Sequence, residues 1–128
     1  GHGLASVVLM LGRTQVVQVW ARAQPTDLRL GFRGLAGLVG TEFHRQVHSG
    51  DLFLFVNRRR TSAKILLWDG SGMCIYAKKL APRRGRFARL WRQPVGGPPL
   101  RLTAAELTLF LERPVVHRTT SRGRKKGR

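Results

Sequence analysis

At 128 residues the chain is long enough for one domain with a real core, and 42% of its residues are hydrophobic. Its 24 Lys and Arg against 6 Asp and Glu give a formal net charge of +18, far above the magnitude of about 2–8 that solubility asks of a small domain. A single cysteine, Cys74, excludes an internal disulfide and a cysteine-rich zinc site.

The chain opens on GHGLASVVLM, an apolar run too short to span a membrane and without a basic leading region. The expectation is a soluble, cytoplasmic protein. Residues 6–22 alternate loosely between apolar and polar, and Val16, Val17, Val19 and Trp20 favour a strand. Pro25-Thr26-Asp27 reads as a helix start, with Thr26 as the cap and Asp27 in the first turn. The helix then runs from Asp27 toward Phe43, because Phe32, Leu35, Val39 and Phe43 recur on one face. Gly31, Gly34, Gly37 and Gly40 interrupt it, each costing roughly 0.5–1 kcal/mol relative to Ala. Such a helix depends on tertiary packing, and the glycines would let it lie close against a sheet.

His48 to Asp51 is a break. Residues 52–57, 63–68 and 73–80 read as three successive strands, the first of them central. Arg58 to Ser62 forms the first connecting turn. Asp69-Gly70-Ser71-Gly72 forms the second, since Asp-Gly supplies the positive φ a tight hairpin needs. Pro82 to Arg86 is a basic loop, Phe87 to Trp91 a fourth strand of this β-meander, and residues 94–99 a loop or edge. Thr103 and Glu106 stand three apart as a capping box, opening a helix over residues 104–112 that Pro114 ends. The fold class is α+β: a mainly antiparallel sheet of about five strands, one principal helix and a short C-terminal helix. Residues 1–116 form a single domain. Residues 117–128 carry six basic side chains and no apolar anchor, so they read as a tail that is disordered when free.

The charge is clustered. Between Arg58 and Arg92 stand eleven basic residues and one acid, Asp69. Arg58, Arg59 and Arg60 connect two strands at one end of the meander, and Lys78, Lys79, Arg83, Arg84 and Arg86 close another onto the same end. Together with Lys64 they predict a cationic rim that contacts phosphates, helped by Arg124, Lys125 and Lys126 of the tail. Arginine outnumbers lysine 19 to 5; guanidinium forks suit phosphates and guanine edges, although a high-GC genome gives the same bias. Trp20, Trp68, Trp91 and Tyr76 are either core residues or platforms for exposed bases.

Catalytic chemistry finds little to work with. A two-metal nuclease needs about three converging carboxylates, and of six acids only Glu42 and Asp51 lack an evident structural role. His44 and His48 could share a helix face, but no acid stands between them as in HExxH. No catalytic residue, metal site or cofactor is expected.

The blocks PTDLRLGFRGLAGLV (residues 25–39), DLFLFVNRRRTSAKILLWDGSGMCIYAKKL (residues 51–80), RGRFARLW (residues 84–91) and LTAAELTLFLE (residues 102–112), in that order and spacing, resemble the insertion sequence 66 family of small accessory proteins, the Orf2-like or TnpB proteins of those elements. The resemblance covers about residues 14–113. Arg33 departs from it, standing where family members usually carry an acid. Nothing resembles the RNA-guided nuclease that shares the TnpB name. The resemblance implies a role in DNA transposition, beside a separate protein that holds the catalytic centre. It carries over no catalytic residue. The expected partners are duplex DNA at element ends and the transposase subunits, with no membrane; exposed strand edges allow a homodimer. The competing expectation is a module that docks onto the transposase without reading DNA.

Overall fold

The computed structural model describes residues 17–92 and 95–116. The elements run β1 (Val19–Ala21), α1 (Phe32–Glu42), a 3-10 turn (Val47–Ser49), β2 (Leu52–Val56), β3 (Ser62–Trp68), β4 (Met73–Lys79), β5 (Leu100–Leu102) and α2 (Ala104–Glu112). The strands form one sheet in the order β4-β3-β2-β1-β5. β2, β3 and β4 are the expected antiparallel meander. β1 lies parallel to β2, Val19 beside Leu52, because the long connection through α1 returns the chain to the same end of the sheet. β5 pairs antiparallel with β1 on the far edge.

Side chains of successive strand residues leave opposite faces, and both faces are covered. On one, Leu35, Val39 and Phe43 of the α1 segment pack on Phe53, Phe55 and Leu66. On the other, Leu107, Phe110 and Leu111 of α2 meet Leu54, Val56, Ile65 and Leu67, together with Phe87 and Trp91. Every residue of β2 is therefore buried, which is why LFLFV reads as an unbroken apolar run.

Local signals act as expected in two places. Asp69 closes the β3–β4 hairpin: its carboxylate accepts the backbone N–H groups of Ser71 at 2.8 Å and Gly72 at 2.9 Å, while Gly70 takes φ 102°. At α2, Thr103 Oγ1 accepts from Glu106 N at 3.0 Å and Glu106 Oε1 accepts from Thr103 N at 2.7 Å, completing the capping box.

Four expectations need correction. The principal helix begins at Phe32, not Asp27, and Gly31 caps it without a side-chain bond. Thr26 stays with the sheet instead, donating its N–H to Val56 O at 2.8 Å, and Asp27 folds onto Arg29. The helix glycines do not bring α1 close to the sheet: a Cβ at Gly37 or Gly40 would meet nothing within 4 Å, and at Gly34 it would press on Leu30. Residues 87–91 are not a strand. Arg86 forms an isolated bridge with Val115, and Phe87 turns into the core, stacked on Phe110 with ring centroids 5.0 Å apart. The fifth strand comes instead from residues 100–102. Within residues 6–22, only 19–21 form a strand among the described residues; the rest of that stretch up to residue 16, and the basic tail 117–128, lie outside them.

Candidate nucleic-acid interface

The β2–β3 turn and the segment after β4 meet at one end of the sheet. Asn57 fixes the turn: its Oδ1 accepts from Thr61 N at 2.9 Å and Ser62 N at 3.0 Å, and its Nδ2 donates to Thr61 Oγ1 at 3.1 Å. The segment after β4 is laced to this turn. Leu80 N–H donates to Thr61 O at 2.8 Å, and Phe87 N–H to Arg60 O at 2.7 Å. The loop between them is fixed from a second side, where Arg86 and Val115 exchange backbone bonds of 2.9 and 2.7 Å. Gly85 makes this approach possible. It holds φ 92°, and a side chain there would collide with the Val115 carbonyl. The chain at Val116 thus leaves the described structure beside the basic loop.

Nine predicted contact residues fall in the described part, and they separate into two groups. Arg58, Arg59, Lys79, Arg83, Arg84 and Arg86 are exposed. Arg60, Lys64 and Lys78 are half-buried and committed to backbone carbonyls. Arg60 Nη1 donates to Phe87 O at 3.0 Å, Lys64 Nζ to Leu30 O at 2.9 Å, and Lys78 Nζ to Leu111 O at 2.7 Å. Lys78 gives α2 the cation at its C-terminal end that its own last turn lacks. Burial, then the nearby charges of Arg89 and Arg86, lower the pKa of the Arg60 guanidinium from its ordinary value. Arg124, Lys125 and Lys126 lie outside the described residues.

Glu42, Asp51 and Asp69 are engaged elsewhere. Glu42 accepts from Arg22 and Gln24. Asp51 accepts from the Trp20 indole at 3.3 Å and pairs with Arg45 at 3.7 Å. The two carboxylates without an evident role in the sequence therefore hold β1 to its surroundings. Asp69 is held at about pKa 2, chiefly by the backbone N–H groups of Ser71 and Gly72. Cys74 lies next to it, its thiol pKa raised by burial and then by the bond to Asp69. His44 follows the end of α1 at φ 54°, while His48 sits in the 3-10 turn, so no common helix face joins them. No group of three His, Cys, Asp or Glu that could hold a metal stands together among the described residues.

The aromatic candidates are also occupied. Trp91 is buried. Arg45 and Arg101 lie over the Trp20 ring, at 4.1 and 5.3 Å from its centroid. Trp68 ends β3 away from the rim, edge-on to His48, and Tyr76 packs against the core.

Sequence reasoning missed one element of this surface. A groove of about 670 Å³ opens beside the β2–β3 turn, between Asn57, Arg58 and Arg59 on one wall and Thr26, Asp27 and Arg29 on the other. Reading residues 27–43 as one helix concealed the second wall. No helix of the described residues is long and apolar enough to cross a membrane.

The chain matches the model of the family described as IS66 Orf2 like protein over residues 17–120. Two proteins of Sinorhizobium fredii (strain NBRC 101917 / NGR234) are similar to it. One, described as uncharacterized protein y4hO, is 35% identical over 102 residues, which cover 80% of this chain and 84% of the relative. The other, uncharacterized protein y4jC, is 30% identical over 102 residues, covering 80% and 83%. No solved structure is significantly similar to the chain.

Proposed function

The chain belongs to the IS66 Orf2-like family, a family of transposition-related accessory proteins, and from that premise we propose that it binds duplex DNA through its cationic rim and helps assemble a separate transposase on element ends. It does so without chemistry of its own, in the bacterial cytoplasm at the nucleoid. One observation carries the reading. Arg58, Arg59, Lys79, Arg83, Arg84 and Arg86 are exposed at one end of the sheet, whereas Glu42, Asp51 and Asp27 are each paired with arginines outside that set. Among the described residues these six side chains take no acidic partner, and an external anion would supply it. Phosphates fit, because each neutralised phosphate releases counterions and adds about 0.9 to the salt slope of binding. Arg124, Lys125 and Lys126 add affinity without sequence preference. Arg60, Lys64 and Lys78 hold the rim in shape.

The test is a titration against a duplex carrying an element end and a scrambled duplex, at several salt concentrations. Steep salt dependence with equal affinity gives a scaffolding role. Preference for the end sequence at high salt gives end recognition. No binding to either overturns the reading.

A second reading has its own observation. Phe32 and Met73 are 48% and 39% exposed, and a groove of about 640 Å³ opens between α1 and the far end of β3, its lining part apolar (Ala36, Gly40, Val47, Trp68 and Met73) and part polar (Arg45, Gln46 and His48). That surface suits a module that docks onto the transposase and leaves DNA to its partner. Co-purification with the transposase alone, without duplex binding, would favour it. The strands β4 and β5 are sheet edges, and either could pair two copies as a homodimer.

A further inference from the structure

The groove beside the β2–β3 turn has two walls, each with its backbone anchored. On one, Thr26 is buried and bonded to β2, and Arg22 Nη1 donates to the Pro25 carbonyl at 3.1 Å. From this anchored loop Asp27 grips Arg29: Nε donates to both carboxylate oxygens, at 3.0 and 3.1 Å, and Nη2 to one at 2.7 Å. The grip cancels the acid's charge and aims an exposed guanidinium, whose Nη1 takes no partner among the described residues. On the other wall, the Asn57 bonds hold the turn that carries Arg58 and Arg59, both exposed.

The walls also lie on a definite side. Leu28 and Leu30 pack with α1, whereas Phe87 packs on the opposite face with α2. Arg29 and the basic loop therefore flank the same turn from the two faces of the sheet.

We propose that this groove seats a backbone phosphodiester of duplex DNA, with Arg58 and Arg59 on one side of the phosphate and Arg29, aimed by Asp27, on the other. The proposal rests on the DNA-binding reading and adds a site to it. Guanidinium groups on two walls can fork onto non-bridging phosphate oxygens from different directions. The Asp27 pair narrows the conformations open to the Arg29 side chain and so lowers the freedom it loses on binding. Asp27 is then a positioning residue: an acid whose presence helps an anion bind.

That last consequence separates a built seat from a merely positive surface. Duplex affinity and its salt slope are measured for the wild type, Arg29→Lys, Asp27→Ala, the Arg58→Gln/Arg59→Gln pair, and Arg33→Lys as a control from exposed α1. Thermal melting checks each fold. The seat expects Arg29→Lys, which keeps the charge and loses the fork, to weaken binding about two- to fivefold, the range of an exposed ion-pair contact. It expects Asp27→Ala to weaken binding although an acid is removed. The Arg58/Arg59 pair should lose affinity on all sequences and lower the salt slope by about one per lost contact. Arg33→Lys should change nothing. If Arg29→Lys binds as the wild type does and Asp27→Ala binds more tightly, the seat is overturned while DNA binding stands. If the wild type binds no duplex, both fall. Inorganic phosphate, compared with chloride at equal ionic strength, that protects the fold as well as duplex does would overturn the assignment to a DNA backbone and give the groove to a free oxyanion.

Discussion

Arg60 and Phe87 hold each other twice: Phe87 N–H donates to the Arg60 carbonyl at 2.7 Å, and the Arg60 guanidinium returns to the Phe87 carbonyl at 3.0 Å. Arg60 does this from φ 60°, the left-handed region that costs most side chains roughly 1 kcal/mol. A residue that is both strained and bonded is part of the framework. The rim is thus built around an arginine whose side chain and carbonyl are both committed to Phe87.

Arg60→Ala should therefore act on stability. Losing the bond leaves the Phe87 carbonyl short of a partner, at about 1–2 kcal/mol. Arg58→Ala and Arg59→Ala should change stability by less than about 0.5 kcal/mol and act on DNA affinity instead. Urea unfolding beside salt-dependent duplex titration separates the two; equal stability for all three variants would return Arg60 to the contact surface.

Lys78→Met should behave like Arg60→Ala. Methionine keeps the packed stem, but the Leu111 carbonyl loses its ammonium, at a cost of about 1 kcal/mol. The salt slope of DNA binding should stay at its wild-type value. A slope lowered by about one would make Lys78 a phosphate contact after all.

The hairpin turn sets a pH dependence. Asp69 is held at about 2 in the folded chain, below its ordinary value of 3.8, chiefly by backbone N–H groups that bond the ionised carboxylate more strongly than the neutral acid. Its pKa is lowered on folding, so its stabilisation is complete above the unfolded value and disappears as pH falls through the folded one. Melting followed from pH 5 to pH 2 should show a steeper loss for the wild type than for Asp69→Ala. Parallel curves would remove Asp69 from the account.

Gly85→Ala should loosen the rim from behind. A methyl group meets the Val115 carbonyl in a backbone conformation already unfavourable to it. Hydrogen exchange at the Arg86 and Val115 amides should rise well before exchange in β2 and β3 does. Unchanged protection at both amides would show that the bridge tolerates the side chain.

What could be read from the sequence was what neighbours in the chain decide. The α2 capping box needs only Thr103 and Glu106, and the Asp69 turn only its own residues, so both were legible. Thr26 looked like a cap because its actual partner, Val56, is distant in the chain. Phe87 to Trp91 looked like a strand because aromatic residues suit strands, but these side chains fill the α2 face with no neighbouring ladder. The candidate rim divides in the same way. Its position followed from the meander, whereas the roles of Arg60, Lys64 and Lys78 depend on carbonyls 27, 34 and 33 residues away.

The pairing of β1 with β5 brings Val19 beside Leu102. It ties the order of assembly to the order of synthesis. The meander and its hairpin turn can form from a nascent chain, but the outer side of β1 has no partner until residue 102 is available. Non-local pairings of this kind pay their loop-closure entropy before they return any stability. The last edge to close is thus the one farthest from β4, and until it closes β1 remains an open strand edge on the newly made chain.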